Sequence, residues 1–83
     1  MKKFDDLIFE PHPSGVGKIA RLEFENGHGI SVVQGHLFLI GEYQLNDLFD
    51  MAEIFHGEVV TSTNVMEVTK EDITNKMLEL QKQ

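Results

Sequence analysis

Ala20, Leu22 and Phe24 alternate with Arg21, Glu23 and Glu25, and the alternation runs into Asn26-Gly27 before apolar residues resume at Ile30 and Val32. A two-residue period with one apolar and one wet side marks a half-buried strand, and Asn-Gly is the strongest short-range turn signal. The rest of the chain must therefore pack on an antiparallel sheet that contains this hairpin. Placing Phe24 opposite Ile30 and Leu22 opposite Val32 requires the three-residue connection Asn26-Gly27-His28, bounded by Glu25 and Gly29. That register favours a G1-bulge hairpin over a two-residue turn.

Around the hairpin, Phe4 to Phe9 reads as a short strand or strand entry, and Pro11-His12-Pro13-Ser14-Gly15-Val16-Gly17 breaks regular structure. His36 to Ile40 reads as a third strand ended by Gly41. From Leu45 the period changes: Leu45, Leu48, Phe49, Ala52 and Phe55 recur at helical spacing, Asp47, Asp50 and Glu53 form a stripe on another side, and Gly57 supplies a stop. Glu58 to Ser62, with β-branched Val59, Val60 and Thr61, reads as a further strand. Thr69 then caps a last helix whose first turn holds Glu71 and Asp72 and whose apolar stripe is Ile73, Met77 and Leu80. The expectation is one α+β domain over residues 1–83. A small antiparallel sheet, with elements ordered roughly β-β-β-α-β-α, packs against one or two helices.

Eighty-three residues place such a domain near the lower limit for a single core. With no Cys, only packing or self-association holds it together, and an intracellular, cytoplasmic setting is the natural reading. The longest apolar run, Leu37 to Ile40, is far short of the roughly 20 residues that span a bilayer, and the start MKKFDDLIFE carries acids where a signal peptide is apolar.

Charge is distributed unevenly. From Leu22 to Thr69 the chain holds no Lys or Arg but eight carboxylates, so the net charge of −7 sits in its middle. A field of one sign repels phosphate backbones and anionic headgroups and steers basic partners. With Glu23, Glu25 and Glu58 on the wet faces of strands and Asp47, Asp50 and Glu53 along a helix, these six form the candidate partner-binding surface for a basic protein. The plainer reading is a solvated face that aids solubility.

Little else carries chemistry. His12, His28, His36 and His56 show no i, i+4 pair, and no thiolate assists, so no metal site is assigned. Gly15-Val16-Gly17-Lys18 resembles a phosphate loop, but a Walker loop needs Ser or Thr after the Lys and here Ile19 follows. No GxSxG surrounds Ser14, Ser31 or Ser62, so no catalytic residue and no cofactor are assigned. Lys18 and Arg21 lack interleaved aromatics, which argues against direct nucleic-acid binding. Leu37-Phe38-Leu39-Ile40 fits a buried strand or the seam of a homodimer. A second ligand set is the loop of His12 and Ser14 with Lys18 and Arg21, whose backbone N–H groups and positive charge suit a small anion such as a nucleotide.

The segment Phe24-Glu25-Asn26-Gly27-His28-Gly29-Ile30-Ser31-Val32-Val33, the preceding Pro11-His12-Pro13 loop and the Thr-x-Glu-Asp helix from Thr69 resemble a family of small bacteriophage and prophage proteins with a FENGxGxSVV hairpin. The middle of the chain departs from that pattern, because the family has a further strand pair where Tyr43 to His56 reads here as a helix. The resemblance implies a phage or prophage origin and assigns no biochemical activity. It also implies an accessory protein that disables a host protein, such as a restriction or CRISPR nuclease with a basic groove, by mimicking nucleic acid. Phages also use small oligomeric proteins as nucleotide sponges, which keeps the anionic-ligand alternative in view.

Overall fold

A computed structural model describes residues 1–15, 17–35 and 48–83. Five strands, β1 (Glu10–Pro11), β2 (Lys18–Glu23), β3 (His28–Gln34), β4 (Phe49–Phe55) and β5 (Glu58–Val68), form one sheet in sequence order, and helix α1 (Lys70–Gln81) follows. Each strand runs antiparallel to its neighbour, which makes the fold α+β. The third strand expected at His36 to Ile40 lies outside the described residues.

Strand parity decides where the core sits. Ala20 on β2, Ile30 and Val32 on β3, Phe49 and Met51 on β4 and Val68 on β5 join Ile73, Met77 and Leu80 of α1 in one apolar cluster. The helical stripe is fully buried, and each of its three side chains contributes about 2 kcal/mol relative to exposure. Phe4, Phe9 and Phe49 extend the cluster, with ring centroids 5.1 to 5.9 Å apart. Glu53 points to the same side and pairs with Lys76 of α1 at 3.7 Å.

Four sequence expectations need correction. Phe4–Asp6 is a 3-10 turn and not a strand, and the strand that follows is only Glu10–Pro11. The β2–β3 register pairs Leu22 with Ile30 and Ala20 with Val32, two residues away from the expected pairing. A shift of two keeps every side chain on its face, so the apolar pattern cannot distinguish the registers. The left-handed Gly27, at φ +86°, closes a three-residue Glu25-Asn26-Gly27 connection of the expected bulged type.

The largest correction concerns Phe49 to Phe55, a strand where helical spacing suggested a helix. Phe49 and Met51 are buried against α1 while Ala52 and Ile54 are buried on the opposite side. A strand covered on both faces presents an almost continuous apolar run, and such a run mimics a helical stripe. Gly57 consequently stops no helix. It is the second residue of a His56-Gly57 turn in which both φ angles are positive, +48° and +85°, the two-residue hairpin geometry that matches strand twist. Among the described residues the order is β-β-β-β-β-α, with strand β4 where a helix was expected.

β5 is longer than the Glu58 to Ser62 segment expected, and bulges accommodate its extra residues against β4. Side chains fill the gaps left in the ladder. Thr63 Oγ1 accepts the Glu53 N–H at 2.8 Å and donates to the Val60 carbonyl at 2.6 Å, and an Asp50 carboxylate oxygen accepts the Glu67 N–H at 3.1 Å. Glu67 itself sits at φ +55°.

The helix start is as expected. Thr69 Oγ1 accepts the Asp72 N–H at 3.1 Å and Asp72 Oδ2 accepts the Thr69 N–H at 3.0 Å, a reciprocal cap. Hydrogen bonding to the carboxylate, first from the Thr69 backbone N–H and then from the Thr69 side chain, holds the Asp72 carboxyl below the ordinary aspartate range. A depressed folded-state pKa stabilises the fold above the unfolded value of about 4 and loses that contribution as pH falls through the folded value. We expect Thr69→Ala to cost about 1 kcal/mol. Asp72→Asn should be less stable than wild type at neutral pH, with the difference shrinking on acidification below pH about 4; urea melts across pH check both.

Candidate functional site

The β2–β3 and β4–β5 turns stand side by side at one end of the sheet, because β3 and β4 are paired from His28↔Phe55 onward. The His56 N–H donates to the Gly27 carbonyl at 2.8 Å and joins the two turns. The His28 ring lies 4.9 Å from Phe55, and Phe55 lies 4.0 Å from the His56 ring. A Cβ on residue 27 would come within 2.9 Å of His56 Cε1, so Gly27 serves this packing as well as the turn.

Asn26 ties the same end to the helix. Its Nδ2 donates to the carbonyls of Leu80 and Gln83 at 2.8 and 3.0 Å, while its Oδ1 accepts the His28 N–H at 3.1 Å. Carbonyls in the last turn of a helix lack intrahelical partners, and one amide side chain here donates to that of Leu80 and to that of Gln83 just past the helix end.

Beside the turns lies a groove of about 590 Å³. One wall is β2 and its turn, with Leu22 and Phe24 as apolar surface and Glu23 and Glu25 as carboxylates; Met1, Lys2 and Asp6 form the other wall. The N-terminal wall is held by an amide clasp. The Lys2 N–H donates to Gln81 Oε1 and Gln81 Nε2 donates to the Lys2 carbonyl, both at 2.8 Å, while the Phe4 N–H donates to Thr74 Oγ1 at 3.1 Å. β1 pairs only with Lys18 and Ile19, so from Ala20 to Glu23 the outer edge of β2 has no strand partner among the described residues.

The six acidic candidates separate into two groups. Glu23, Glu25 and Glu58 are exposed at the turn end, and none of them forms an ion pair among the described residues. A Cβ placed on Gly57 would stand 3.6 Å from a Glu23 carboxylate oxygen, and the Gly57 carbonyl accepts a 3.3 Å hydrogen bond from Arg21 Nη2. Asp50 and Glu53 do not form a stripe with each other: on a strand, residues three apart face opposite sides. Both serve the fold, Asp50 in the Glu67 bulge and Glu53 toward Lys76. Asp47 lies outside the described residues.

The second ligand set is also divided. His12 and Ser14 meet, with Nδ1 2.8 Å from Oγ and the Ser14 N–H donating to Nδ1 at 3.1 Å. Lys18 extends its ammonium over the Phe9 ring, 5.1 Å from the centroid, and Arg21 faces the other side of β2. Among the described residues no three His, Asp or Glu side chains gather as a metal site, and no helix is long and apolar enough to cross a membrane.

Sequence reasoning missed Asp6, Asn26 and Gln81. Asn26 was legible as a turn residue, but the reach of its amide to Leu80 depends on tertiary docking that no local pattern encodes. Comparison with protein-family models, curated proteins and solved structures finds no match to this chain.

We expect Asn26→Ala to remove hydrogen bonds to the helix end and to lower stability by about 1–2 kcal/mol. Hydrogen exchange should show faster exchange in the last turn of α1 while β3 and β4 stay protected.

Proposed function

We propose that this chain is a non-enzymatic accessory protein, of phage origin, that binds a basic segment of a host protein. The observation that carries the reading is the gathering of Glu23, Glu25 and Glu58 at the turn end, exposed and without ion-pair partners among the described residues, beside a groove that Asp6 also lines. The contact face is therefore reassigned from the Asp47, Asp50 and Glu53 stripe to the paired turns. Glu23 and Glu25 share one groove with apolar Leu22 and Phe24, which suits Lys or Arg side chains, whose aliphatic stems cover apolar surface while their charged heads meet carboxylates. The FENGxGxSVV resemblance supports the origin, and the acid-only run from Leu22 to Thr69 supports the partner class.

The test is titration of the protein with an extended Lys/Arg-rich peptide and with a neutral peptide of equal length. Binding of the basic peptide alone, weakening as salt rises and falling about tenfold or more in a Glu23→Gln, Glu25→Gln, Glu58→Gln variant that keeps its melting curve, is the expected result. Equal affinity of wild type and variant would remove the turn end as the contact face. A pull-down from host lysate, with the same variant as control, then names the target.

A further inference from the structure

The two edges of the sheet differ in composition. The β1/β2 edge carries Pro11, Lys18 and Arg21, residues that discourage strand addition. At the other edge, β5 runs from Val59 to Met66 without a charge or a proline. Of the seven exposed large hydrophobics among the described residues, five lie on the β4–β5 hairpin: Phe55, Val59, Val60, Val65 and Met66, each between 37% and 53% exposed. The bulges of β5 are bridged toward β4 by Thr63 and Asp50. Its outer side has no strand partner among the described residues.

We propose that β5 pairs with β5 of a second copy, joining two five-stranded sheets about a two-fold axis. Charge selects this occupant. Two chains of net charge −7 repel over most of their surfaces, and β5 offers an edge segment where they meet without opposed carboxylates. A basic peptide finds no complement there. An antiparallel pair centred on Ser62 sets Val59 against Val65 and Val60 against Asn64, and puts Glu58 opposite Met66, so Glu58 and Glu67 do not face each other. The seam is isologous, as closed two-fold dimers require. It also covers Val59, Val60, Val65 and Met66, which the single chain leaves exposed.

Light scattering on a sizing column and a unique cysteine test the proposal together. Wild type should elute with twice the 9.4 kDa mass of one chain, and Val60→Lys with Val65→Lys should give the single-chain mass with an unchanged far-UV spectrum. Because the chain has no Cys, Ser62→Cys should form a disulfide-linked dimer under mild oxidation, since self-opposed residues stand about 4.5–5.5 Å apart, within disulfide reach. Ile8→Cys, also exposed but outside the β4–β5 hairpin, should not. A wild-type monomer at the highest soluble concentration, a dimer that survives both lysines, or equal crosslinking of the two cysteine variants would overturn the proposal. Should the lysine variant fail to fold, the cysteine pair still decides.

Discussion

The burial of Ile73, Met77 and Leu80 against one face of the sheet is the contact on which the structure depends. A twelve-residue helix is marginal in water by itself, and a meander of short strands with one bare apolar face is no better. Each supplies the surface the other lacks. The helix is fastened at its two ends, at the Thr69–Asp72 cap and at the Leu80 and Gln83 carbonyls to which Asn26 donates. The N-terminal turn is then laid over the same helix through Thr74 and Gln81.

Sequence periodicity reported this arrangement only where burial was one-sided. β2, with Arg21 and Glu23 exposed beside buried Ala20, and the Ile73, Met77, Leu80 stripe each have one wet face, and both were legible. β4 was not, because it is covered on both faces and its run of Phe49, Met51, Ala52 and Ile54 fits either period. Met51 and Ile54, apolar but off the helical stripe, were the available signal. His56-Gly57 went unread as a hairpin turn because His occupies a position where Asn or Asp would have announced it.

The same error misplaced the acidic site. A helix from Leu45 would have aligned Asp50 and Glu53 with Asp47, whereas a strand turns Asp50 toward a bulge of β5 and Glu53 toward Lys76. Composition identified the charge correctly but could not say which carboxylates the fold consumes. Those left over, Glu23, Glu25 and Glu58, are neighbours only because β2–β3 and β4–β5 turn at the same end of the sheet.

The Lys2–Gln81 clasp joins residues 79 positions apart. During vectorial synthesis the N-terminal segment emerges first, but the amide that holds it emerges among the last side chains of the described fold. Until then Met1 and Lys2 have no clasp to lie against, and the groove they wall exists only as a bare sheet edge. The groove thus depends on the docking of α1, and a chain without α1 in place lacks the Met1–Lys2 wall.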